Sequence, residues 1–171
     1  MVDRDALLRA LQGDGSYRRI VIRSLDPASD AAACDAIIAS LPGWFGVEEG
    51  IVECAAAVRS ESGLVAELDG SVVGFLTLAR PYPTTPEISW LAVHARDRRR
   101  GIGRALIEAI ADRCRADGDR ILLVKTLSDR EDPGPEYAET RAFYLAMGFV
   151  PVVELDYHDP DNPIQLLALP L

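Results

Sequence analysis

The run GLVAEL-DG-SVVGFLTLAR, residues 63–80, most limits what this chain can become. Two apolar segments joined by Asp69-Gly70 specify a tight antiparallel hairpin, because both turn residues tolerate the positive φ such a turn needs. A hairpin in mid-chain excludes an all-helical fold and a purely parallel sheet. Beyond Arg80 the rhythm changes. EISWLAV (87–93) reads as a strand, and Ile102, Leu106, Ile107, Ile110 and Cys114 recur at helical spacing over 102–115. RILLVKTL (120–127) is almost continuously apolar, the pattern of a central strand buried on both faces. Strand–helix–strand after a hairpin makes the class α/β with a mixed sheet.

The remaining segments fit that class. DRDALLRALQ (3–12) predicts a short helix and RRIVIRSL (18–25) a strand. Residues 30–59 are helical in pattern but broken by LPGWFG (41–46), which gives two helices with an elbow at Trp44-Phe45. PYPTTP (81–86) and SDREDPGPE (128–136) read as loops. YAETRAFYLAM (137–147) is a helix stopped by Gly148, and FVPVVEL and IQLLALPL close the chain as strands. The cluster Asp156, His158, Asp159 and Asp161, interleaved with Pro160 and Pro163, reads as a polar hairpin loop rather than a metal site. With 171 residues, 49% of them apolar, and no repeat or linker, the chain is expected to form one domain over 1–171.

Composition narrows the setting. No apolar run approaches the roughly 18 residues a membrane span requires. The N-terminus is mixed in charge, so the cytoplasm is the expected compartment, with no membrane partner. Cys34, Cys54 and Cys114 are odd in number and lack CxxC spacing, which argues against a disulfide framework and a zinc site. A formal charge of −9 disfavours nucleic acid as a partner and favours a cationic ligand such as an amine.

Against that acidity, WLAVHARDRRRGIGRAL (90–106) packs five arginines around Gly101 and Gly103. A helix N-terminus presents unpaired N–H groups and partial positive charge, and glycine lets backbone approach an anion closely. Strand, tight loop, helix and arginines together describe a phosphate cradle. Two familiar cradles fail the spacing: GxGxxG would need glycine where Leu106 stands, and GxxxxGK[ST] needs a Gly-Lys pair the chain lacks. Taken alone, the motif reads more readily as a solvated arginine loop with a turn glycine.

The wider context resembles the GNAT superfamily of acyl-CoA-dependent N-acetyltransferases. Its [Q/R]-x-x-G-x-[G/A] hallmark is met by Arg98-Arg99-Arg100-Gly101-Ile102-Gly103, after a strand ending Leu91-Ala92-Val93 and before an amphipathic helix. Further on, Ala142, Phe143-Tyr144 and Gly148-Phe149 match a second family pattern, and the likeness covers 62–157. The resemblance implies a mostly antiparallel, twisted central sheet flanked by helices, with strands 87–93 and 120–127 splayed apart. It implies acetyl-CoA as cosubstrate and no metal. The pyrophosphate would sit on backbone N–H groups from Arg99 to Arg104, with Arg98 and its neighbours supplying charge. Leu91, Ala92 and Val93 would pair with the pantetheine arm as a β-like addition.

By the same resemblance Tyr144 is the general acid for the departing thiolate, and Glu87, at the start of strand 87–93, is a candidate general base. A core tyrosine and an edge carboxylate are the alternatives from residue type alone. A β-bulge in strand 87–93 would expose a backbone N–H for the oxyanion. Many relatives carry asparagine seven residues before the tyrosine; here that position is Tyr137. Trp44, Phe45, Tyr82 and Tyr137 are the candidate acceptor contacts, with Glu48 and Glu49 nearby. The implied activity is acetyl transfer to a primary amine, more readily of a small molecule. A protein N-terminal or lysine acetyltransferase, and a non-catalytic acyl-CoA-binding module, stand as alternatives. The resemblance also admits a homodimer.

Overall fold

A computed structural model describes residues 19–130, 133–156 and 163–171. The helix expected at 3–12, and His158, Asp159 and Asp161, lie outside the described residues. The hairpin forms as its sequence dictates: β2 (Ser62–Leu68) and β3 (Ser71–Tyr82) pair antiparallel, with Asp69 at φ 53° and Gly70 at φ 78° in the turn. β1 (Ile20–Ser24) adds outside β2, and β4 (Thr85–Val93) pairs antiparallel with β3. β5 (Ile121–Leu127) runs parallel to β4, and β6 (Val150–Leu155) and β7 (Ile164–Pro170) complete one sheet ordered β1-β2-β3-β4-β5-β7-β6. The mixed, mostly antiparallel architecture is thus the expected one. PYPTTP is less of a loop than predicted, since the strands continue through it and Tyr82 still pairs with Thr85.

Alternation along β2 and β3 sorts the helices onto two faces. Val65 and Phe75 pack with Cys34, Ile37, Cys54 and Val58 from α1 (Pro27–Ala39) and α2 (Glu48–Ser60). Leu64, Ala66 and Leu76 point the other way, onto Leu106, Ile107, Ile110 and Cys114 of α3 (Ile102–Ala116). Asp26 caps α1 by accepting from Ala28 N–H at 3.1 Å, and Pro27 supplies the first-turn φ. All three cysteines are buried free thiols, and burial pushes each above its ordinary range.

α4 (Pro135–Ala146) ends where Gly148 takes φ 91°. Phe149 N–H donates to Tyr144 O at 3.1 Å and Gly148 N–H to Leu145 O at 3.0 Å, a Schellman cap. β5 departs from expectation. Leu122, Val124 and Thr126 are buried, but Leu123 is only half-buried and Lys125 is exposed. The reason lies in its neighbour. β4 and β5 pair only at Glu87–Leu123 and Ile88–Val124, then part, which uncovers one face of β5. No helix among the described residues is long and apolar enough to cross a membrane.

Candidate active site

The parting of β4 from β5 begins at a bulge. Thr77 pairs with Trp90 and Leu78 with Ile88, so Ser89 has no partner on β3. The extra residue reverses the alternation: Ile88, Leu91 and Val93 pack on the α3 side, whereas Trp90 and Ala92 pack on the α1–α2 side. Beyond Ile88, the β5-facing edge of β4 is left without a strand partner.

This parting opens into a cleft of about 620 Å³. One wall is β4, from Ser89 to Val93, and the opposite wall is Val124, Lys125 and Thr126 of β5. α4 contributes Tyr137, Phe143 and Tyr144, and the α1–α2 elbow contributes Trp44 and Phe45. The hydroxyls of Ser89 and Thr126 are buried and have no hydrogen-bond partner among the described residues. Unpaired buried hydroxyls on both walls are groups that a polar ligand would satisfy.

The cleft mouth lies at the start of α3. His94 N–H donates to Val73 O, and Ala95–Asp97 form one 3-10 turn. Arg99 then takes φ 62° and Gly101 φ 82°, an alternation of left-handed positions that turns the chain into the helix. Gly101 is the N-cap and offers no side chain, so the first N–H groups of α3 lack a side-chain acceptor. No acidic residue stands in that first turn. Gly103 has a different role: a Cβ there would come within 3.2 Å of Phe143 Cζ, so glycine allows α3 to approach α4.

The arginines are not equivalent. Arg98 stacks over Trp44, 4.2 Å from the ring centroid, and donates to Glu139 at 2.9 Å. Arg99 donates to the other Glu139 oxygen at 2.5 Å. These two guanidinium groups hold the Glu139 carboxyl below its usual range. Arg104 lines the mouth, but Arg100 is turned away onto buried Asp97, at 2.6 Å. Trp44 joins three elements: its indole donates to Thr140 at 3.1 Å, and its carbonyl accepts from the Tyr137 hydroxyl at 3.0 Å. Burial raises the Tyr137 phenol above its ordinary value.

Most predicted site residues therefore meet here, and some do not. Leu91, Val93, Arg98, Arg99, Gly101, Ile102, Gly103, Arg104, Trp44, Phe45, Tyr137 and Tyr144 all line the cleft. Tyr144 is 5% exposed and its ring packs edge-on to Phe149. Burial alone pushes its phenol well above the ordinary value. Ala92 is buried, with its side chain on the α1–α2 face. Tyr82 is a correction: it is 69% exposed at the far end of β3, because the hairpin outruns the cleft. Glu48 and Glu49 are also exposed outside it. Glu87 does not itself line the cleft; it pairs with Leu123 where the strands are still joined, and its Oε1 is 3.0 Å from Nζ of Lys125, which does line it.

Sequence reasoning missed Glu139, Ser89, Thr126 and Lys125. Lys125 had a visible signal, being the sole lysine of the chain and set in an apolar strand. The others depend on where β4 bulges and where α4 begins.

The sheet is thus parted at its one parallel pair among the described residues, beside an uncapped helix start flanked by arginines, which leaves a cleft with positive charge at its mouth. The chain belongs to the GNAT acetyltransferase family: residues 59–151 match the family's Acetyltransferase (GNAT) domain. No curated protein matches it by sequence. Among solved structures it is similar to a GNAT-family protein from Desulfovibrio desulfuricans, at 21% identity and TM-score 0.76 over 89% of this chain and 99% of that one. It is also similar to the ribosomal-protein-S18-alanine N-acetyltransferase of Escherichia coli, at 19% identity and TM-score 0.71 over 89% and 94%. An aminoglycoside 6'-N-acetyltransferase complexed with coenzyme A matches at 17% identity and TM-score 0.66 over 88% and 96%. At these identities the likeness is one of fold.

Proposed function

We propose that this protein transfers an acetyl group from acetyl-CoA directly to a primary amine of a small molecule. The observation that carries the reading is the parting of β4 from β5 next to the uncapped start of α3. The residues present fit acetyl-CoA. N–H groups of residues 101–104 and the guanidinium groups of Arg98, Arg99 and Arg104 suit a pyrophosphate. The unpaired edge of β4 at Leu91–Val93 suits the amides of the pantetheine arm, and Leu91, Val93 and Phe143 suit its apolar portions. Arg100 contributes through Asp97, by holding the loop, rather than through its own charge at the cleft.

Acetyl-CoA supplies an activated acyl carbon. Glu87 takes a proton from the acceptor ammonium, leaving a neutral nitrogen to form the N–C bond as the C–S bond breaks. A backbone N–H freed beside the Ser89 bulge would be available to the thioester carbonyl oxygen. Tyr144 donates to the departing thiolate. Burial raises its phenol above the ordinary value, so the group enters the reaction in its protonated, donating form. The nitrogen sheds its second proton as the amide forms, and the phenol is reprotonated from solvent.

The test is ligand-dependent stability of the full chain. Saturating acetyl-CoA, at about 100 times its Kd, is expected to stabilise the fold by about 2.7 kcal/mol, whereas an oligonucleotide gives no shift. No shift with acetyl-CoA would remove the reading.

A further inference from the structure

We infer that the acceptor is a free α-amino acid with an apolar or aromatic side chain, an inference that rests on the acetyl-transfer reading. The sole lysine of the chain is spent at one place. Lys125 lines the cleft, and its Nζ lies 3.0 Å from Glu87 Oε1. The pair bridges β4 and β5 diagonally across their last register, Ile88–Val124, with Lys125 one residue beyond it. Ile88 and Val124 belong to the core under α3, so alternation turns Glu87 and Lys125 to the α1–α2 face. On that face Phe45 stacks on Trp90, with centroids 5.8 Å apart and planes 28° from parallel, and Trp44 stands beside them.

A half-exposed ion pair contributes little to stability, and lysine is a poor strand residue. The arrangement makes sense as recognition. An α-amino acid carries an ammonium and a carboxylate on one carbon, the complement of Glu87 and Lys125. Its carboxylate binds Lys125 and its ammonium binds Glu87, so one ion pair is exchanged for two. The same exchange frees the Glu87 carboxylate to take the proton. A simple amine leaves Lys125 on Glu87 and the base occupied. A peptide N-terminus fails likewise, because its neighbouring carboxyl is an amide. Among the described residues, the further carboxylates lining the cleft are Glu139 and Asp97, and both are already held by arginines, which leaves a polyamine no free partner there. The side chain of the acceptor meets Trp44, Phe45 and Trp90.

The experiment measures thiol release from acetyl-CoA by the full chain, with L-phenylalanine and L-leucine set against their carboxamides and their decarboxylated amines. The free acids are expected to exceed both analogues at least tenfold in kcat/KM. Lys125→Met is expected to bring the acid-to-amide ratio close to one, chiefly by raising KM for the acid, while acetyl-CoA still raises the Tm of the variant. A merely structural Lys125 would lower kcat on all acceptors and leave the ratio unchanged, which would overturn the inference. So would equal or better use of the amide or amine by the wild type, although acetyl transfer would then stand. No turnover on any acceptor with acetyl-CoA bound also overturns it, and no acetyl-CoA binding removes the parent reading as well.

Discussion

Gly101 takes φ 82° as the N-cap of α3, and a Cβ built there would meet no atom within 4 Å. The requirement at this position is conformational, and the space above it is open to a ligand. Gly101→Ala is expected to cost about 1 kcal/mol of stability from the left-handed backbone and to weaken acetyl-CoA binding several-fold, as read by chemical denaturation and calorimetry. Gly103, two residues on, faces the Phe143 ring, and its constraint is packing. Tyr144 is buried at the cleft wall with a protonated phenol. Tyr144→Phe should lower kcat by about 10²-fold, the lower end of general-acid contributions, with acetyl-CoA affinity nearly unchanged. Equal kcat in the two proteins would remove Tyr144 from the acid role.

α4 carries a carboxylate where the cofactor's anion is proposed to bind. Glu139 engages Arg98 and Arg99 together, so an entering pyrophosphate must displace it or share them. Glu139→Gln should therefore tighten acetyl-CoA binding several-fold by calorimetry; weaker binding would mean that Glu139 instead positions the arginines productively. At the other end of the sheet, Asp30 of α1 is buried and accepts both guanidinium nitrogens of Arg23, at 2.7 and 2.8 Å, plus Asp26 N–H at 2.9 Å. Those partners lower its pKa from an ordinary 3.8. A depressed folded pKa gives stability that is full above the ordinary value and lost as pH falls through the folded one. Melting curves should therefore show Asp30 contributing above about pH 4 and fading below it. Asp30→Asn should cost about 2 kcal/mol at neutral pH, the scale of hydrogen bonds to a charged group, and flatten that acid limb.

At the scale of the whole molecule, a chain of net charge −9 gathers Arg98, Arg99 and Arg104 at one cleft mouth. Local hairpin and helix signals made the succession of elements along the chain readable, because turn chemistry and periodicity are short-range. The Arg98–Gly103 loop was readable for the same reason. Three features were not. The bulge at Ser89 depends on β3 and β4 together, the half-exposed face of β5 depends on β4 leaving it, and the Arg100 turn onto Asp97 depends on loop geometry. Tyr82 misled because an aromatic beside two prolines looked like a loop residue over the cleft, whereas the strand carries it past. The central claim is chemical transfer. The most direct measurement is amine-dependent release of thiol from acetyl-CoA by the full chain, with the N-acetylated product weighed by mass spectrometry. Release and product are expected in equal amounts, both dependent on a primary amine. Saturable acetyl-CoA binding with no amine-dependent release would contradict it and leave a protein that holds the cofactor without using it.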